Sequence, residues 1–287
     1  MRSAYDRLAK EALVSSLRAV SRDLTPEREV VGDALRLDLW CVPDPSKLDA
    51  LRPFGLLERV VRQGPCAFEF FHQAPSLDEV LRSLQKVLLL RQPARLPPRP
   101  QEPWLWVIAG GRPSQLLAPL HFEADRRWPK GIYIAPRALR TRLIVVSELP
   151  KNAETLLLRV LGAGKTLRDA TRELRALGAE HPIRRIVLPI VVRLHLEYRT
   201  DPDERNQEFA MQTQDIYQEW LQRTLAEGEA RGRAEGEARA LLLVLAARGL
   251  SVSAEQAAII QACNDPVILE LWLSRAASAT SCEEVLG

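Results

Sequence analysis

The 287-residue sequence contains no uninterrupted apolar run approaching the ~18 residues a membrane-spanning helix requires. Its opening, Met1-Arg-Ser-Ala-Tyr-Asp6, has no apolar signal core. Cysteine is scarce: Cys41, Cys66, Cys263 and Cys282 are scattered, with no CxxC pair, which argues for reduced core thiols over a disulfide framework or a zinc site. Neither sign of charge dominates, since 40 basic residues face 37 acidic ones for a net +3, so net charge gives no case for nucleic acid and leaves only a local basic patch open. His72, His121, His181 and His195 have no partner at metal-ligand spacing and read as structural. Ser114 and Ser147 lie in no GxSxG turn, so an esterase has no footing. Gly162-Ala-Gly-Lys-Thr166 looks like part of a phosphate-binding loop, but Arg159 stands where the motif needs glycine and a helical run precedes it. These absences describe a soluble cytoplasmic protein with no membrane partner.

What is present is 46% hydrophobic residues in a readable order. Leu8, Ala9, Ala12, Leu13, Leu17 and Val20 have helical spacing, so Tyr5 to Val20 is a first helix. Glu29 to Cys41 reads as strand with a turn at Gly32-Asp33, stopped by Pro43-Asp-Pro45; Leu48 to Gln63 is mixed. Cys66-Ala-Phe-Glu-Phe-Phe71 is a second strand. Ser76 and Glu79 form a capping box opening a helix to about Leu90, with Leu77, Val80, Leu81, Leu84, Val87 and Leu88 as its buried stripe. A proline-rich connector, Pro93 to Pro103, leads to strands at Trp104–Ala109, Gly131–Ile134 and Arg142–Ser147, giving a sheet of about five strands. From Asn152 the chain reads as helices only, at about 152–163, 166–178, 182–199, 203–247, 253–263 and 265–277. The class is α/β in the first half and all-helical in the second.

Two carboxylates stand out. Asp38 and Glu69 each sit inside an apolar run that reads as buried strand, where an unpaired charge costs several kcal/mol, roughly. Each needs a compensating partner: an arginine such as Arg36, backbone donors, or a divalent metal shared between neighbouring strands.

Helix, Asp-bearing strand, Glu-bearing strand, helix and strand is an order that resembles the PD-(D/E)XK nuclease core. The opening Tyr5-Asp-Arg-Leu-Ala-Lys10 resembles the start of its recombination-promoting nuclease and putative transposase branch. The tail, Leu225 to Gly287, resembles a domain of uncharacterised function that commonly ends such bacterial proteins. The resemblance implies a restriction-endonuclease-like mixed sheet flanked by helices over 1–150, a helical extension over 151–224, and a long helix with a small helical domain over 225–287. It implies a DNA endonuclease in which Asp38 and Glu69 bind Mg²⁺ and a Lys or Gln two positions after the Glu orients the attacking water. That position is Phe71, which can do neither task. Gln73 is the substitute on the same strand face. Lys86, counted about 195° from the centre of the stripe, should point to solvent, and Gln85 lies at the stripe's edge. The alternative is a non-catalytic nuclease-fold protein that binds DNA or protein and self-associates.

In Ala226 to Ala240, Gly228, Gly232 and Gly236 recur every four residues with alanines between. Interior glycines cost about 0.8–1 kcal/mol each against alanine, so the stripe reads as either a packing face for a homodimer or a solvated linker helix.

Overall fold

The computed structural model describes residues 4–31, 35–90 and 102–287. The expected Gly32-Asp33 turn and most of the proline-rich connector lie outside them. The chain divides into two compact units, Met1–Tyr217 and Gln218–Gly287.

In the first unit, α1 (Ala4–Leu17) buries Leu8, Ala9, Ala12, Leu13 and Leu17, the stripe its spacing predicts. Strand β1 (Ser21–Pro26), a small hairpin of β2 (Glu29–Val31) and β3 (Leu35–Arg36), and β4 (Leu39–Pro43) follow. A 3-10 segment (Pro45–Phe54), capped by Asp44, leads through α2 (Leu56–Val61) to β5 (Cys66–Phe71), α3 (Leu77–Leu90) and β6 (Trp104–Ala109). Then come α4 (Ser114–Leu117), β7 (Glu123–Ala124), β8 (Ile132–Ile134) and β9 (Thr141–Val145). Helices α5 (Leu156–Val160), α6 (Gly164–Ala176), α7 (Pro182–Tyr198) and the start of α8 (Glu204–Ala247) complete the unit.

The main sheet has seven strands in the order β1-β4-β5-β6-β9-β8-β7, with β5, β6 and β9 parallel and the remaining pairs antiparallel. Helices cover both faces. Phe68, Trp106, Ile108 and Ile144 pack in one core with α1, α5, α6 and α7, whereas Ala67, Leu105, Val107, Leu143 and Val145 pack with Val80, Leu84 and Val87 of α3. The architecture is therefore mixed α/β.

The sheet is larger than the sequence suggested. Ser-Arg-Asp-Leu-Thr-Pro in β1 has no apolar run, because this edge strand, paired to β4 on one side alone, is only half-buried. The stretch from Glu29 to Cys41 is broken into the hairpin and β4, with Asp38 in the bend between them. The Ser76–Glu79 capping box is present. Its helix is rotated from the expected stripe, however: Leu77, Leu81 and Leu88 are exposed, and Ser83 and Leu90 are buried with Val80, Leu84 and Val87. At the sheet's C-terminal end Gly110 is required, since a Cβ there would collide with the backbone carbonyl of His72.

In the second unit, Ala234, Ala238, Leu241 and Leu245 of α8 pack against α9 (Ala254–Ala262), α10 (Pro266–Ala276) and α11 (Cys282–Leu286), chiefly through Ile260, Leu269, Trp272, Ala276, Cys282 and Val285. The short α11, capped by Ser281, had no periodic signal long enough to announce it. Alanines 234 and 238 are thus the part of the small-residue stripe that this unit uses. Gly228, Gly232 and Gly236 are exposed, and a Cβ at any of them meets nothing within 4 Å. Gly232→Ala is therefore expected to stabilise the helix by about 0.8–1 kcal/mol, read as a raised midpoint in chemical denaturation. A lowered midpoint, with a loss of mass in light scattering, would show that a second copy packs on the glycines.

Candidate active site

Leu39 pairs with Phe68, Trp40 with Ala67 and Cys41 with Cys66. Asp38 lies in the bend just before β4, outside this ladder, so the strand alternation that turns Glu69 towards α3 does not set its direction. The ladder stops at Leu39, which leaves the edge of β5 open. Into that notch the Asp38 carboxylate turns, accepting the Phe70 backbone N–H at 2.9 Å. The Asp38 carbonyl in turn accepts the N–H of Glu27.

Two lysines converge on the pair, one from each side of the sheet. Lys10 of α1 places its Nζ 2.9 Å from Asp38 Oδ1, 2.7 Å from Glu27 Oε1 and 3.0 Å from Asp6 Oδ1. Glu27 reaches it from a left-handed backbone conformation, φ 55°, which costs a non-glycine residue about 1–2 kcal/mol. Lys86 of α3 places its Nζ 2.8 and 2.9 Å from the two oxygens of Glu69, and the Ser83 hydroxyl donates to Glu69 at 3.4 Å.

Burial decides the electrostatics. Glu69 is 3% exposed, and burial first, then the charge of Asp38, raises its pKa to about 7 against the opposing pull of Lys86. Asp6 is pushed up by burial, with Asp38 and Glu27 adding to the effect and Lys10 opposing it. Burial alone would make Lys10 easier to deprotonate, but Asp38, Glu27 and Asp6 overcome this and hold its proton more firmly than in an ordinary lysine. Lys10 thus meets Asp6, Glu27 and Asp38 in one group and Lys86 meets Glu69 in another, with Glu69 the most deeply buried of the four carboxylates.

Beside the cluster lies a cavity of about 50 Å³ lined by Tyr5, Asp6, Phe70, Phe71 and His72, room for a few waters. Burial lowers the pKa of His72, and its ring stacks on Tyr5 with centroids 5.8 Å apart. On the α1 side a groove of about 420 Å³ runs past Arg7, Lys10, Arg18 and Glu27 to the protein surface.

Of the residues singled out from sequence, Asp38 lies near enough for its charge to raise the Glu69 pKa, and Gln73 does not join them. Strand β5 ends at Phe71, and Gln73 sits two residues beyond in an exposed bend, as Ala74-Pro75 forces the chain out of the sheet. Lys86 is the reverse case. With Ser83 and Leu90 included, the buried face of α3 is centred about 95° from Lys86 rather than about 195°, which makes it a flanking residue whose long side chain reaches Glu69. Gln85 is exposed, and Phe71 packs on the α3 side of the sheet. The partner of Asp38 is Lys10 and not Arg36. Lys10, Asp6 and Glu27 were missed as site residues, although an Asp and a Lys four apart beside the apolar stripe of α1 were a visible sign. The Gly162–Thr166 turn joins two helices, α5 and α6, so the strand a phosphate loop needs is not there.

Among the described residues no three His, Cys, Asp or Glu side chains approach closely enough to hold a metal by themselves. Mg²⁺ ordinarily takes one or two protein carboxylates and fills its octahedron with water and substrate phosphate; here both oxygens of Glu69 lie on Lys86, and those of Asp38 on Lys10 and the Phe70 N–H. All four cysteines are free thiols, and no described helix is long and apolar enough to cross a membrane. Comparison of the chain with known protein families, curated proteins and solved structures finds no match.

Proposed function

We propose that this protein is a Mg²⁺-dependent endonuclease of the PD-(D/E)XK type, with a restriction-endonuclease-like core, that hydrolyses phosphodiesters in DNA. The observation that carries the reading is the nearness of Asp38, Glu69 and Lys86: one carboxylate in the bend before β4, one on β5 within reach of its charge, and a lysine on both oxygens of the second. The lysine that the family places two residues after the Glu is here supplied by α3, in front of the face that Phe71 leaves without a polar group. Asp38 and Glu69 would hold the ion, which when bound supplies a Lewis acid for the phosphoryl oxygen and lowers the pKa of a bound water. Lys86 orients that water and offsets the charge that gathers on the phosphoryl oxygens. Arg7 and Arg18 line the groove that reaches Lys10 and suit a phosphate backbone.

The test is incubation of supercoiled plasmid with the protein in Mg²⁺ or Mn²⁺, beside Asp38→Ala. Nicking by the wild type and none by the variant supports the reading. Equal nicking by both marks contamination. Absence of nicking by either leaves a nuclease-like fold used for binding DNA or protein.

A further inference from the structure

We propose that the loop joining β7 to β8, with the turn that follows β8, is a docking surface for the phosphodiester backbone of duplex DNA. The surface uses none of the residues of the carboxylate site, so it stands beyond the nuclease reading, whether or not that site cuts.

The loop rests on a chain of cations and rings. The guanidinium of Arg59 lies 4.7 Å from the Trp128 ring, that of Arg142 lies 5.0 Å from Trp128 and 4.2 Å from Trp104, and that of Arg140 lies 4.7 Å from Trp104. Arg142 is only 3% exposed, its Nε and Nη1 have no hydrogen-bond acceptor, and its Nη2 reaches Asp125 at 3.4 Å. A buried guanidinium so thinly neutralised lends positive potential to the surface above it. Asp125 also accepts from the Arg127 backbone N–H and Nε, the Trp128 N–H bonds to the Asp125 carbonyl, and Arg59 donates to the Arg127 carbonyl. Residues 125–131 are thereby fixed in shape.

What the fixed loop presents is basic. Arg126, Arg127 and Lys130 are exposed on it, and Arg137 is exposed in the turn after β8. Among the described residues Arg126, Lys130, Arg137 and Arg140 have no ion-pair partner. Of the acids Glu123, Asp125 and Glu154, the last two are taken up by Arg127, Arg142 and Arg59. Arginine predominates, and its fork suits phosphate oxygens. Trp104 and Trp128 already carry guanidiniums, so contact falls to the backbone rather than to stacked bases. The exposed large apolar side chains of the described residues lie elsewhere, which leaves this surface nothing to insert into a lipid layer.

The experiment is fluorescence anisotropy of a labelled duplex titrated with the full chain in EDTA, so that no divalent ion takes part. Wild type is expected to bind, with log affinity falling linearly in log salt. Each phosphate contact accounts for about 0.9 of that slope, so the exposed double variant Arg126→Gln, Lys130→Gln should lower it by about 2 and weaken binding about 10²-fold at about 50 mM salt. Arg82→Gln, exposed on α3 across the sheet, should bind as wild type does. No binding by wild type, or equal weakening in the double variant and Arg82→Gln, overturns the proposal. Displacement of the labelled duplex by polyglutamate as readily as by unlabelled duplex also overturns it, by marking an acidic protein as the partner. Loss of binding in Asp38→Ala, with the double variant unchanged, removes the docking surface and leaves the nuclease reading. Binding through the loop without plasmid nicking keeps the docking surface and removes the nuclease reading.

Discussion

Lys86→Met is expected to slow Mg²⁺-dependent plasmid cleavage by about 10²–10³-fold, the range over which a positioned proton-transfer or charge-stabilising group acts. Methionine preserves the length and apolar stem of lysine, so packing on the flank of α3 survives while the ammonium beside Glu69 is lost. The companion variant is Phe71→Lys in the Lys86→Met background. Phe71 lies on the α3 side of β5, the side from which Lys86 approaches Glu69. A lysine at 71 should therefore restore part of the rate, because the chemistry requires an ammonium at that place and not a particular element to carry it. An unchanged rate in Lys86→Met would reduce Lys86 to a counter-ion that merely makes Glu69 tolerable in the core. Loss in Lys86→Met without recovery in the double variant would mean that the helix supplies an angle of approach that the strand cannot.

The same lysine shows where sequence reading succeeds and where it stops. Strands β5 and β6 and helices α6 to α10 were legible nearly to their ends, because long apolar runs and helical stripes are local signals that tertiary packing rarely overrides. The two carboxylates were legible for the opposite reason: a charge in a buried strand contradicts its surroundings. What could not be read was which way each element is turned. Leucines at 77, 81 and 88 pulled the apparent stripe of α3 away from its real face, since their exposure and the burial of Ser83 depend on the shape of the sheet beneath. Once that rotation is corrected, Lys86 moves from solvent to the site. Strand β1 was invisible because an edge strand needs little apolar surface, and with it went Glu27, whose place beside Lys10 depends on a left-handed turn. Lys10 itself is held by residues 17 and 28 positions away, a relation that no local window contains.

The buried charge of Glu69 also predicts a stability that depends on pH in a specific direction. Its carboxyl titrates near 7 in the folded chain, against about 4.3 in an unfolded one, so the folded state binds the extra proton between those values. Below the unfolded value both states are protonated and the residue carries no penalty. As pH rises towards 7 the folded chain must give up that proton in a buried site beside Asp38, and stability falls. Above 7 the full cost is present, about 4 kcal/mol at most. Glu69→Gln removes the titration while keeping the shape and a hydrogen-bond acceptor for Lys86. Thermal denaturation should therefore show wild type and variant nearly equal at pH 4.5, with the variant pulling ahead as pH rises to 7.5. At about 2–4 °C per kcal/mol for a unit of this size, the gap should reach several degrees. Mg²⁺ should narrow it by raising the wild type alone, because an ion that binds only the folded carboxylate pair stabilises that state by mass action. A gap of constant size from pH 4.5 to 7.5 would show that Lys86 already neutralises Glu69 fully, and that the site holds no reserve of negative charge with which to attract an ion.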